Sequence, residues 1–136
     1  MILGIGTDIV KISRLEQLIE KYGTRFLDRT YTPTEIAYCT QFSDPFPRYA
    51  VRFAAKEAYS KALGTGIGEH AAFHEIEVCR NDMRRPHLQL LGTTLSAFYQ
   101  IYPDTQRHQL QLHLSMSHDH EYGTATVIIE KEAHEA

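Results

Sequence analysis

Apolar and polar residues alternate most strictly from Leu110 through Leu112, Leu114 and Met116, the period-two pattern of a half-buried strand. His118 to Gly123 reads as a turn, and Thr124 to Glu130 as the strand that returns from it. At the other end of the chain, Ile2 to Val10 is rich in β-formers. Gly4 and Gly6 interrupt it, as glycines do where another backbone comes close. Helical spacing takes over at Leu15, Leu18, Ile19 and Tyr22. Ser13 with Glu16 has the form of a capping box, and Gly23 is a stop. Thr32-Pro33-Thr34-Glu35 is a second capping box, which predicts a short helix to about Gln41, with a loop from Ser43 to Pro47.

The strongest helical segment runs from about Arg48 to Leu63, with alanine at 50, 54, 55, 58 and 62 and Gly64 as its cap. Gly64 to Gly68 follows as a loop. Phe73 to Arg80 alternates as a strand, Asn81 to Arg85 turns, and Pro86 to Leu91 forms the next strand. Thr93 or Thr94 is placed to cap a helix that ends near Tyr102, before Pro103. Strands and helices mix without regular β-α-β spacing. The expected fold is therefore α+β, with a mainly antiparallel sheet packed on the long central helix.

Composition narrows the function classes. A chain of 136 residues, 43% hydrophobic and 23% charged, suits one globular domain over residues 1–136, with no role assigned to 131–136. The modest core this allows leaves room for oligomerisation. A net charge of −3 argues against general nucleic-acid binding. Cys39 and Cys79 form no CxxC, which argues against zinc and disulfide frameworks. The apolar start is brief, is broken by Asp8, and carries neither a basic leader nor a cleavage site. The expectation is a cytoplasmic protein with no membrane or nucleic-acid partner.

Asp8 is a carboxylate in an otherwise apolar strand, so it stands at a solvated end, is paired, or binds a metal. Glu57 and Lys61 are four residues apart on one helix face, either as an ordinary surface pair or as part of a site. One Mg²⁺ takes one or two carboxylates plus phosphate oxygens and water, which Asp8 and Glu57 would satisfy, with Lys61 in reach of a phosphate. The glycine loop is no Walker motif and follows its helix. His118 ends its strand as a turn residue or a phosphate contact; with His120 it makes too few ligands for zinc. Lys11 to Arg29 holds five basic and three acidic residues, so Arg14, Lys21 and Arg25 form either a solvated face or a docking face for an acidic partner. Arg80, Arg84 and Arg85 cluster in the later turn.

Taken together these segments resemble a known family. Gly4-Ile-Gly-Thr-Asp8-Ile-Val is similar to the opening motif of the holo-[acyl-carrier-protein] synthases. The run from Arg52-Phe-Ala-Ala-Lys-Glu57 through Lys61 to Gly66-Ile-Gly resembles their second motif over its whole length. Ser115-Met-Ser-His118 and Tyr122 to Glu130 resemble their closing hairpin. The resemblance implies a 4′-phosphopantetheinyl transferase fold and transfer of 4′-phosphopantetheine from coenzyme A to a serine of apo-acyl carrier protein. It implies Mg²⁺ on Asp8 and Glu57, with Lys61 at the leaving phosphate. Arg52, Gly64, Gly66, Pro86 and His118 would contact coenzyme A, and Arg14, Lys21 and Arg25 the carrier. It further implies a homotrimer with sites between subunits. Glu57, or a water held near Glu35, would take the serine proton. Lys11 replaces a frequent Glu, and Arg84-Arg85-Pro86 replaces Gly-Lys-Pro. A coenzyme A sensor without turnover and a diphosphate hydrolase are the competing readings.

Overall fold

The computed structural model describes residues 1–80, 83, 85–103 and 109–133. The order is β1 (Ile2–Lys11), α1 (Ile12–Tyr22), α2 (Thr24–Thr30), α3 (Pro33–Cys39) and α4 (Phe46–Leu63). A 3-10 turn (Phe73–Glu75) then leads into β2 (Ile76–Arg80), β3 (Pro86–Leu90), α5 (Gly92–Ile101), β4 (Leu110–His118) and β5 (Tyr122–Lys131). All strand pairs are antiparallel, as expected. The sheet is divided, however, into a three-stranded β1–β5–β4 sheet and a separate β2–β3 hairpin. Asn81, Asp82 and Arg84 of the expected turn and residues 134–136 of the tail lie outside the described residues.

The long helix α4 lies across β1 and β5, and glycines set how closely it does so. A Cβ on Gly4 would stand 2.0 Å from the Ala62 carbonyl oxygen, and one on Gly6 2.0 Å from that of Ala58. The facing residues of α4 are themselves small: Ala54, Ala55 and Ala58 are fully buried. Backbone thus packs nearly on backbone, at a separation no larger residue permits. Inward-facing Ala125, Val127 and Ile129 of β5 complete this layer, all 1% exposed or less. The strictly alternating β4 contributes less. As an edge strand it leaves Leu110, Leu112, Leu114 and Met116 only half-buried.

Several boundaries differ from the sequence expectations. Ser13 caps nothing. The chain passes directly from β1 into α1, and the Ile12 N–H donates to the Glu121 carbonyl at 2.8 Å, so the helix has begun before Ser13 is reached. Gly23 does end α1, at φ +56°, but its carbonyl then accepts from Phe26 and Leu27 and opens α2, which the pattern did not reveal. Helix α4 starts at Phe46, inside the expected loop, because Pro47 in its first turn needs no hydrogen-bond acceptor. Residues 73–75 form a 3-10 turn rather than strand. The hydroxyls of Thr93 and Thr94 do not cap α5; they donate to Glu75, whose carboxylate also accepts both backbone N–H groups.

The second capping box forms as expected, with Glu35 accepting from Thr32 N–H at 2.9 Å and Thr32 Oγ1 accepting from Glu35 N–H at 3.2 Å. Glu35 is also buried against Lys56 of α4, at 2.6 Å and with both side chains fully covered. Among the described residues, no helix is long and apolar enough to cross a membrane.

Gly6→Ala must push α4 off β1, so denaturant melts are expected to show a loss of about 1–3 kcal/mol, the usual cost of overpacking. Ser13→Ala, at the unused capping position, is expected to change stability by less than about 0.5 kcal/mol.

Candidate functional site

Strand alternation points Gly4, Gly6, Asp8 and Val10 toward α4, and Ile5, Thr7, Ile9 and Lys11 away from it. Lys11 therefore stands on the opposite face of β1 from Asp8. On α4, Glu57 and Lys61 flank the contact made by Ala58 and Ala62, so the close packing delivers them to the same place. Lys61 Nζ lies 2.9 Å from Asp8 Oδ1 and 3.1 Å from the Thr7 carbonyl. The Glu57 carboxyl is held above the usual carboxylate range, first by burial and then by the negative charge of Asp8; Lys61 partly offsets this. Two carboxylates and an ammonium thus converge, from residues 8, 57 and 61 of the chain.

Gly64 ends α4 in the left-handed region at φ +92°, and Gly66 follows at φ +72°. Their N–H groups are committed to the Ser60 carbonyl at 3.0 and 3.2 Å. No atom stands where a Cβ would project from either glycine. They offer open space beside Lys61 rather than donors aimed at a phosphate.

A second group surrounds a cavity of about 550 Å³ between α3, α4, the β2–β3 hairpin and the end of β4. Arg48 and Arg52 line it from α4, Tyr38 from α3, Arg80 and Pro86 from the hairpin, and His118 from β4. Arg52 is 1% exposed, yet its Nε has no hydrogen-bond partner among the described residues, while Nη1 donates to the Arg48 carbonyl at 3.2 Å. Its guanidinium lies 4.4 Å from the centre of the Tyr38 ring, with that of Arg80 5.4 Å from the same centre. Arg48 lies 3.4 Å over Phe42. Such a wall, cationic and aromatic at once, suits an anion attached to a flat ring.

The predicted site residues therefore fall into separate groups. Asp8, Glu57 and Lys61 meet. Arg52, Pro86 and His118 meet in the cavity, with Tyr38, Arg48 and Arg80. Arg48 was legible in principle, one helical turn before Arg52; Tyr38 and Arg80 arrive only through tertiary contact. Of Arg14, Lys21 and Arg25, only Arg25 lines a further cavity of about 350 Å³ between α1 and α2, beside Leu18, Tyr22, Phe26 and Arg29. The i, i+4 pairs Leu18/Tyr22 and Arg25/Arg29 were the available signal. The Arg84 contribution to the basic turn lies outside the described residues.

Glu35 is not placed to hold a catalytic water. It is 1% exposed, and its oxygens accept from Thr32 N–H, Lys56 Nζ and Val78 N–H. The cysteines are not activated nucleophiles either. Burial pushes Cys39 up to about 11; burial and the adjacent Glu77 push Cys79 up to about 12. Among the described residues, no group of three or more His, Cys, Asp and Glu side chains is arranged to hold a metal ion. Any cation at Asp8 and Glu57 must complete its shell with other oxygens.

Comparison with known proteins adds to this geometry. The family model of the 4′-phosphopantetheinyl transferase superfamily matches residues 4–124. The holo-[acyl-carrier-protein] synthase of Koribacter versatilis is 42% identical over 130 residues, covering 96% of this chain and 99% of its own. That of Chlamydia muridarum is 45% identical over 127 residues, covering 93% and 94%. Among solved structures, the holo-(acyl-carrier-protein) synthase of Bacillus anthracis, in complex with CoA (3′,5′-ADP), superposes with a TM-score of 0.77 at 35% identity, covering 97% of this chain and 99% of its own. With matches of this extent to both sequence and fold, the chain belongs to the 4′-phosphopantetheinyl transferase superfamily, within its holo-[acyl-carrier-protein] synthase branch.

Proposed function

We propose that the chain transfers the 4′-phosphopantetheine group of coenzyme A to a serine hydroxyl of apo-acyl carrier protein, releasing adenosine 3′,5′-bisphosphate, in support of fatty acid biosynthesis. The observation that carries this reading is the convergence of Asp8, Glu57 and Lys61 in a member of this family. A diphosphate brings several negative charges, and these residues supply one fixed cation and two ligands for another.

Asp8 and Glu57 suit Mg²⁺ because both offer hard carboxylate oxygens and they are too few to enclose an ion alone. Mg²⁺ commonly keeps waters and substrate phosphate oxygens in its shell. When bound there, it would offset and orient the charge of the diphosphate. Lys61 leaves Asp8 for the phosphate oxygen that becomes the leaving group. The serine Oγ attacks the phosphorus carrying pantetheine, and the bond from that phosphorus to the bridging oxygen breaks. With Glu35 committed to Lys56, Glu57 is left to receive the serine proton, directly or through one water.

The cavity of Arg48, Arg52 and His118 supplies cationic and polar contacts for the phosphorylated ribose, with Tyr38 and Pro86 against the base. Arg52 and Glu57 are five residues apart, about 140° around the helix, so they serve different faces of α4. A site shared between subunits resolves this: the carboxylates of one protomer face the cavity of the next. Such a homotrimer also gives cover to Ile2, Ile5 and Ile9, exposed by 55%, 65% and 63% along β1. The carrier protein docks at α1 and α2. There Leu18, Tyr22 and Phe26 form an apolar socket rimmed by Arg25 and Arg29, with Arg14 and Lys21 nearby as steering charge. Both cysteines are free, in keeping with a cytoplasmic setting.

Intact-mass spectrometry of apo-acyl carrier protein, incubated with the protein, coenzyme A and Mg²⁺, is expected to show a gain of one phosphopantetheine. EDTA should abolish that gain; its absence with several carriers, while coenzyme A still binds, would favour the sensor reading. Asp8→Ala and Glu57→Ala are each expected to lose most of the activity while melting like the parent, and full activity of either at low Mg²⁺ would overturn the metal assignment. Lys61→Ala should lower kcat more than it raises KM for coenzyme A, since its charge matters most as the leaving group departs. Exchange of Arg25 and Arg29 for Glu should raise KM for the carrier alone and flatten its dependence on salt.

A further inference from the structure

The buried Glu35–Lys56 pair takes no part in the chemistry above, yet every proton of the Lys56 ammonium and both oxygens of Glu35 have partners. Lys56 Nζ donates to Glu35 Oε1 at 2.6 Å, to the Phe73 carbonyl at 2.9 Å and to the Ile76 carbonyl at 2.6 Å, which uses all three of its protons. Glu35 Oε2 accepts from Val78 N–H at 3.0 Å. Burial pushes Lys56 below its ordinary range, and the Glu35 carboxylate opposes that shift. Three elements are thereby tied at one point: α3 through Glu35, α4 through Lys56, and β2 with its preceding turn through backbone groups.

These are the same three elements that bring Tyr38, Arg52 and Arg80 to the cavity. The offsets are short and regular. Tyr38 lies three residues after Glu35 on α3, Arg52 four residues before Lys56 on α4, and Arg80 two residues after Val78 on β2. On α3 and α4 the spacing keeps each residue on the same face as its partner in the tie; on β2 the tie is made by the backbone of Ile76 and Val78, just before Arg80. The pair thus sits one helical turn, or one strand period, behind the wall of the cavity. Among the described residues the β2–β3 hairpin pairs with no further strand, so its distance from α4 is not set by strand pairing.

We propose that Glu35 and Lys56 are positioning residues for coenzyme A. They fix how far the β2–β3 hairpin stands from α3 and α4, and so the gap in which Tyr38, Arg52 and Arg80 grip the nucleotide. A salt bridge suits this task better than apolar packing, because its hydrogen bonds are directional and are made to specific backbone atoms of β2. The proposal rests on the reading that this cavity takes the nucleotide end of coenzyme A.

The test separates positioning from stability. Either partner removed alone strands a buried charge, so the decisive variant is the neutral double change Glu35→Gln/Lys56→Met. It keeps an acceptor for Thr32 N–H but unties Val78, Phe73 and Ile76. Affinity for adenosine 3′,5′-bisphosphate and coenzyme A is read by calorimetry, alongside thermal melts and steady-state kinetics. The double variant is expected to recover most of the melting temperature lost in Lys56→Met. It should still bind both ligands roughly tenfold or more weakly, a loss of about 1.4 kcal/mol. KM for coenzyme A should rise, with kcat and KM for the carrier little changed. Wild-type affinity in the double variant would overturn the proposal. If that variant does not fold, Glu35→Asp keeps both charges but is one methylene too short to reach Thr32, Lys56 and Val78 together. Weakened nucleotide binding in it supports the proposal, and unchanged binding overturns it. Tyr38→Leu separates the two levels of the argument. If it binds adenosine 3′,5′-bisphosphate as the parent does, the cavity assignment fails and the proposal with it. If it loses binding while the Glu35 and Lys56 variants keep theirs, only the positioning role fails.

Discussion

The closeness of α4 to β1 is the constraint on which the rest of the structure depends. It exists because Gly4 and Gly6 present no side chain to the helix and the helix answers with Ala58 and Ala62. Any larger pair would hold the two backbones further apart. Close approach has an energetic return, since dispersion falls steeply with separation. It also has a chemical one. Glu57 and Lys61 flank the alanines that make the contact, so the packing that stabilises the layer also sets the reach from α4 to Asp8. Lys61 spans that gap with one hydrogen bond to the Asp8 side chain and one to the backbone beside it.

The same helix handles charge in two ways. Toward β1 it leaves Lys61 half-exposed and Glu57 partly buried. Toward α3 and β2 it buries Lys56 completely and matches each proton with an acceptor. Arg52 stands between these extremes. It is covered by protein and stacked near Tyr38, but its Nε lacks a partner among the described residues. A buried donor without a partner is costly. Here that cost falls at the wall of the cavity, beside Tyr38, Arg48 and Arg80.

Local signals were legible where the chain could satisfy them locally. Thr32-Pro33-Thr34-Glu35 became a capping box because every group it needs lies within four residues. Ser13 and Glu16 carry the same pattern and do not cap, because the Glu121 carbonyl, distant in sequence, reaches Ile12 first. Glu75 likewise takes over the start of α5 from outside the helix. In each failure a tertiary partner outbid a sequence neighbour. The alternation of β4 misled in another way. Period two reports that one face of a strand is apolar, but not whether the strand is central or at the edge, and the deeper core came from β5.

The sequence by itself determined the types of most elements, α2 and the 3-10 turn at 73–75 excepted, together with the α+β class, the close approach at Gly4 and Gly6, and the candidacy of Asp8, Glu57, Lys61, Arg52 and His118. These rest on periodicity, side-chain size and short motifs, all of which are written along the chain. Only the tertiary structure decided which of these residues meet. It joined Arg52 to Tyr38 and Arg80, and turned Glu35 from a candidate near the chemistry into the buried partner of Lys56. The physical reason is that contacts between distant segments depend on how far each backbone can approach the next. That distance is set by the packing of all of them together, not by any one stretch of sequence.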